Sequence, residues 1–138
     1  DLPPEVANNL RIQLMHCKLM IIDEASMVGS TTLSRIDTRL RQILGVDKSF
    51  GGISVILLGD FQQLPPVKDS LIFTTPKHSM LRMDLSSLWN EFFIYELTEV
   101  MRQKNDLKFV HALNNFARGE MNDDDIRLIK TREVKEIE

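Results

Sequence analysis

Apolar positions along the chain fall into two patterns, spaced repeats and short unbroken runs. Val6, Leu10, Leu14 and Met15 recur at helical spacing from Glu5 to Cys17, behind Pro3-Pro4, and predict a first helix. Lys18-Leu19-Met20-Ile21-Ile22-Asp23 is a continuous apolar run ending in acid, the signature of a strand buried on both faces. From Ser30 to Leu44 the repeat returns in Leu33, Ile36, Leu40, Ile43 and Leu44. Arg35, Asp37, Arg39 and Arg41 are assigned to its wet face, Ser30 to its N-cap and Gly45 to its stop.

Phe50-Gly51-Gly52 then interrupts the chain before a second buried run, Ser54 to Asp60. Strand, amphipathic helix, strand is a βαβ unit, which makes a parallel sheet. Beyond Phe61 the prolines Pro65, Pro66 and Pro76 break any period. Ser86 to Phe92 reads as a short helix and Phe93 to Thr98 as a third strand, with Trp89 and Tyr95 assigned to the core. Asn105 or Asp106 would cap a helix ending at Arg118-Gly119, and Asp123-Asp124-Asp125 would open a last one with acids on its positive end. The expected class is α/β.

The composition narrows the function. With 138 residues, 43% of them hydrophobic, the chain has enough apolar content for one core. One cysteine, Cys17, excludes an internal disulfide framework, and His16, His78 and His111 have no ligand spacing. No apolar run approaches the ~20 residues of a membrane span, and neither a leader nor an Asn-x-Ser/Thr acceptor is present, so an intracellular protein without a membrane partner is expected. The chain opens on Asp1, not Met, and is read as a fragment. A net charge of −3 argues against a wholly basic nucleic-acid-binding domain while allowing a local basic groove.

Parallel sheets bind ligands beyond the carboxyl ends of their strands. Both candidate strands end in acids there, Asp23-Glu24 and Asp60. One carboxylate at such a rim can hold hydrated Mg2+ and another can orient a water for attack on phosphorus. Taken alone, the same acids read rather as loop residues capping the next helix.

Three strings in one chain change that balance: Ile21-Ile22-Asp23-Glu24-Ala25-Ser26-Met27, then Leu58-Gly59-Asp60-Phe61-Gln62-Gln63-Leu64-Pro65-Pro66-Val67, then Leu97-Thr98-Glu99-Val100-Met101-Arg102-Gln103. Together they resemble the superfamily-one DNA helicases of the petite-integration-frequency and RecD-like group, from about Leu10 to Arg132. The resemblance implies a RecA-like phosphate-loop NTPase motor domain, in part, and the cofactors ATP and Mg2+. It makes Asp23 the acid that holds Mg2+ through water and Glu24 the base acting on the attacking water. Gln63 would touch the γ-phosphate, Gly59 and Asp60 would support its loop, and Arg102 would reach the γ-phosphate from across the motor cleft. An arginine of that kind contributes about 10³ to 10⁵ in rate in related nucleotide hydrolases. Without that company, Gln63 reads as a turn residue and Arg102 as part of a solvated charge cluster.

Residues 1–104 are assigned on this basis to the back part of a first motor domain and 105–138 to a helical crossing toward a second. None of the six glycines is followed by lysine, so the phosphate loop is missing. In the implied fold its strand would lie beside Val55 to Leu58, leaving that edge unpaired. The resemblance implies a parent that hydrolyses ATP, moves 5′ to 3′ on single-stranded DNA as a monomeric motor and unwinds duplex DNA in replication, repair, recombination or telomere upkeep. Its place would be the nucleus or mitochondrion of a eukaryote, or otherwise the cytoplasm. The 138-residue chain alone is expected to be inactive. Lys68, Lys77, His78 and Arg82 are candidate phosphate contacts. The competing reading is a degenerate motor remnant that only binds.

Overall fold

Leu19–Ile22 (β1) and Ser54–Leu57 (β2) pair in parallel, with Leu19 opposite Ser54 and Ile22 opposite Leu57. The crossover between them is the helix Ser30–Leu44 (α2). The computed structural model describes residues 2–74 and 87–132. The chain divides into two units, Asp1–Phe93 and Ile94–Glu138.

In the first unit, the helix Pro4–Leu14 (α1) precedes β1, and the short helix Ser87–Asn90 (α3) lies near its end. The core joins Leu33 and Leu40 of α2 to Phe50, Ile53, Ile72 and Leu88, with Met20, Val55, Leu57 and Trp89 packed against it. Burial of large apolar side chains on this scale, about 1.5–3 kcal/mol each, is what holds α2 on the sheet. Among the described residues, one sheet face packs against the core and the other is left largely open. Leu19, Ile21, Ile56 and Leu58 are 46, 57, 43 and 46% exposed, so the expectation of strands buried on both faces fails. The reason is alternation: Met20, Val55 and Leu57 lie on the side that packs against the core, and Leu19, Ile21 and Ile56 alternate onto the other. β2 has one strand neighbour, β1, among the described residues.

Two assignments on α2 are corrected. Asp37 does not belong to the wet face. It is 5% exposed and accepts the amide of Phe50 at 2.6 Å and Arg41 Nε at 3.0 Å. Phe50 stands in the left-handed region (φ 54°), a turn that aims its amide at the carboxylate. Nor does Ser30 cap the helix: Gly29 is the N-cap residue and Ser30 lies inside, its hydroxyl buried without a hydrogen-bond partner. The stop at Gly45 is as expected, with φ 68° and its amide on the Arg41 carbonyl.

The second unit is a helical hairpin, Leu107–Arg118 (α4) and Asp123–Lys130 (α5). Asp106 caps α4 by accepting from the Phe109 amide at 3.1 Å, and Gly119 ends it. Asn122 and Asp125 form a reciprocal capping box on α5. Asp125 is buried and also accepts from Asn115 on α4 at 2.8 Å, which, with the Asn122 amide, lowers its pKa. Arg132 closes the hairpin, bonded to Asp106 at 2.8 Å and lying over the Phe109 ring.

The third strand expected at Phe93 to Thr98 is not formed with any described residue. Phe93, Tyr95 and Leu97 are more than 85% exposed, which also removes Tyr95 from the core. Aromatic and β-branched composition favours a strand only where a partner supplies the ladder and the burial. The expected passage between domains at residue 104 falls inside the second unit, just ahead of α4.

Candidate functional site

The parallel register places the carboxyl ends of β1 and β2 side by side. Ile22 accepts the Leu58 amide at 2.9 Å, and Leu58 accepts the Ala25 amide at 2.8 Å, so the ladder continues past both strands into the acidic loops. Gly59 fits against this crossing because it has no side chain. A Cβ there would lie 2.8 Å from Ala25 N and 3.2 Å from Ser26 N, both backbone atoms. The segment beginning Asp23-Glu24 and the one beginning Gly59-Asp60 therefore run in backbone contact. The structure brings these four residues to one rim, as expected.

Asp23 and Glu24 form a tight reversal. One Asp23 oxygen, Oδ1, accepts the Glu24 amide at 2.8 Å, and Glu24 stands in the left-handed conformation at φ 52°, ψ 45°. The 3-10 turn Ala25–Met27 follows, with the Met27 amide on the Glu24 carbonyl at 2.9 Å. A left-handed non-glycine residue costs roughly 1–2 kcal/mol, and such cost concentrates where the chain must present a group in a fixed direction. Both side chains are exposed.

The second loop is organised by Asp60. Its carboxylate accepts the Gln62 amide at 2.9 Å, its carbonyl accepts the Gln63 amide at 3.0 Å, and Gln63 Nε2 lies 3.4 Å from Oδ2. Gln63 is thus tethered to Asp60 through its main chain and held loosely at its amide head, free to turn toward a ligand. Lys68 follows on the same loop, exposed and left-handed at φ 56°. Lys77, His78 and Arg82 lie outside the described residues.

Phe61 gives the loop a further contact, although its ring stays half exposed. It packs edge-on to Phe73 and Trp89, at centroid distances of 5.8 Å each, and Trp89 continues to Phe92. Trp89 is accordingly a half-buried packing residue.

Arg102 belongs to the second unit, on an exposed turn ahead of α4. Two further residues of the first unit were not singled out by sequence reasoning. Asp69 caps α2 from the far end of the Gln63 loop, and Gly29 makes room for it. The only sequence signal was an acid a few residues beyond Pro65-Pro66, which carries no address for its partner.

The donor set suits a metal only in part. No cluster of three or more His, Cys, Asp or Glu side chains is placed to hold an ion among the described residues. Asp23 keeps Oδ2 free, and Mg2+ needs just one or two protein carboxylates when waters and phosphate oxygens complete its shell. Asp23 fits that requirement; a closed protein cage is ruled out for the described residues.

Comparison with known proteins gives a consistent set of matches. Residues 5–127 match the family model described as PIF1-like helicase. The chain is 37% identical over 123 residues to the ATP-dependent DNA helicase PIF1 of Xenopus laevis, covering 86% of this chain and 18% of that protein. It is 33% identical over 115 residues to the protein of the same name from Candida albicans, covering 80% of this chain and 13% of that protein. Among solved structures it is similar to the Pif1 helicase from Bacteroides in complex with ADP-AlF3 and ssDNA. That match has a TM-score of 0.68 and 31% identity, over 99% of this chain and 32% of the other. The chain thus spans less than a fifth of the curated relatives named here.

Proposed function

The chain belongs to the PIF1-like helicase family, and from that premise we propose that it supplies the hydrolytic rim of an ATP-dependent DNA helicase. The observation that carries the reading is the shared backbone crossing at Ala25 and Leu58, which holds Asp23-Glu24 and Asp60…Gln63 at the ends of neighbouring parallel strands.

Each residue has a role that its surroundings support. Asp23 would hold Mg2+ through a water at the oxygen its own turn leaves free. Mg2+, when bound with ATP, supplies charge neutralisation at the phosphate oxygens. Glu24, fixed in its left-handed turn and open to solvent, would orient the attacking water and accept its proton at a carboxylate oxygen. Gln63 would donate from its amide head to the γ-phosphate, a movement its loose contact with Asp60 permits. Arg102, a planar cation on an exposed turn, would add positive charge to the same group once the motor closes. Lys68, with Lys77, His78 and Arg82, would meet DNA phosphates.

The parent would act as a monomeric motor, translocating 5′ to 3′ on single-stranded DNA and opening duplexes during replication, repair, recombination or telomere upkeep. Its place is then inside the cell wherever that DNA is: nucleus, mitochondrion or bacterial cytoplasm. Support comes from relatives whose names state an ATP-dependent DNA helicase and from a neighbour solved with ADP-AlF3 and ssDNA. The test is strand displacement by the full-length parent on duplexes with a single 5′ or 3′ tail. Unwinding of the 5′-tailed duplex alone, dependent on ATP and Mg2+, supports the proposal. ATP-independent binding without strand displacement would favour the remnant reading.

A further inference from the structure

The Gln63 loop is anchored at both ends, and its far anchor is made by a residue with no assigned role. The loop leaves β2 through Leu58, bonded to Ala25, and re-enters the core at Ile72, which is 4% exposed. Just before that point the Ser30 amide bonds the Ser70 carbonyl at 2.9 Å, and Gly29 bridges Leu71 in antiparallel fashion. The carboxylate of Asp69 lies over the first turn of α2. It accepts from the amides of Thr31 and Thr32 at 3.2 and 3.1 Å, from Thr32 Oγ1 at 3.0 Å and from the Ser70 amide at 2.8 Å. A helix start offers unpaired amides and partial positive charge, so an acid is held well there. Most caps come from the residue just ahead of the helix. This one comes from 38 residues downstream, and it therefore ties two separate segments together.

Gly29 is the seat of the tie. A Cβ at that position would fall 2.1 Å from Asp69 Cγ and 2.2 Å from Oδ2. Both anchors of the Gln63 loop thus lie on one stretch of chain, Ala25 to Thr32, which begins directly after Asp23 and Glu24. Neither anchor uses a residue expected to touch nucleotide.

We propose that Asp69 is a positioning residue of the hydrolytic site: seated at Gly29 on the start of α2, it holds the Gln63 loop in register with Asp23 and Glu24. The inference rests on the helicase reading, from which the role of Gln63 is taken. Asp69 acts through Gln63 and not on the phosphate. With the tie intact, the glutamine amide has little volume to search when the γ-phosphate arrives. With the tie cut, the far end keeps only the Ser30–Ser70 bond and the Gly29–Leu71 bridge. The loop then has more room to move, and the loss falls on the chemical step more than on nucleotide binding.

The test is DNA-stimulated ATP hydrolysis by the full-length parent carrying Asp69→Ala, Asp69→Asn, Gly29→Ala, Gln63→Ala or the Asp69→Ala/Gln63→Ala pair. Asp69→Ala and Gly29→Ala are expected to lower kcat by about ten- to a hundredfold, with KM for ATP within about twofold of wild type. Asp69→Asn keeps one acceptor and a good capping group, so it should recover most of the loss. The double variant should be no slower than Gln63→Ala, because the tie has nothing left to position. An unchanged kcat in Asp69→Ala, or losses that multiply in the double variant, would overturn the proposal. If Asp69→Ala does not fold, the same cycle run with Gly29→Ala, whose methyl group displaces the Asp69 carboxylate, decides between these outcomes. A wild-type parent without DNA-stimulated hydrolysis would overturn the helicase reading itself, and that control separates the two failures.

Discussion

The amide of Ala25 donates to the carbonyl of Leu58 at 2.8 Å. That bond lies beyond the last residues of β1 and β2, and it makes two loops of different chemistry into one rim. Asp23 and Glu24 stand two and one residues before the donor, and Asp60 stands two after the acceptor. Whatever moves one loop must move the other or break the bond.

The closeness of the crossing sets a size limit at Gly59. Its absent side chain faces the backbone nitrogen of Ala25 at 2.8 Å, and a main-chain atom cannot rotate away. Gly59→Ala is therefore expected to destabilise the first unit by about 1–3 kcal/mol and to lower ATP turnover in the parent. Urea unfolding followed through Trp89 fluorescence measures the first effect. A midpoint equal to wild type would mean the crossing is looser than described.

Asp37 is expected to matter for stability alone. Its buried carboxylate satisfies the Phe50 amide and pairs with Arg41 at 2.9 Å, raising the pKa of that arginine. Asp37→Ala strands a buried amide and loosens a half-buried cation, a loss of about 2–3 kcal/mol. Thermal melts should show it, and hydrolysis by the folded fraction of the parent should be unchanged.

Acid should weaken the tie at Asp69. Burial opposes its ionisation, but hydrogen bonds from the neighbouring threonine side chain and from the amides of Ser70, Thr32 and Thr31 outweigh it and lower the pKa to about 2. The folded value lies below the ordinary carboxylate value of about 3.9. The stabilisation is thus complete above that value and is lost as pH falls from about 4 toward 2. Asp69→Asn should flatten the fall in stability across this window, read from urea midpoints at successive pH. An unaltered slope would show that other carboxylates carry it.

The open sheet face should make the 138-residue chain self-associate. Leu19, Ile21, Ile56 and Leu58 form a contiguous apolar patch on two paired strands, and such surfaces drive association. Light scattering should rise with concentration, and the Ile21→Thr/Ile56→Thr pair should reduce it without lowering the unfolding midpoint.

How much was legible in the sequence depended on how local the cause was. The βαβ unit, the stop at Gly45 and the two helices α4 and α5 follow from periodicity and caps within a few residues. The rim followed too, because parallel strands fix which ends are neighbours. What escaped was set by distant partners. Asp37 looked solvent-facing because its partner, the turned amide of Phe50, lies 13 residues away. Ser30 looked like the cap because the acid that does the work is Asp69. Phe93 to Thr98 had strand composition, but composition cannot supply the neighbouring strand that makes a ladder.

The measurement closest to the central claim is steady-state ATP hydrolysis by the full-length parent on single-stranded DNA, wild type against Glu24→Gln, with nucleotide affinity measured in parallel. Glu24→Gln keeps the size and the left-handed turn while removing the proton acceptor, a substitution expected to lower kcat by about 10² or more with ATP affinity retained. Hydrolysis at the wild-type rate in Glu24→Gln would contradict the assignment of the base, and with it the reading of this rim as the hydrolytic site.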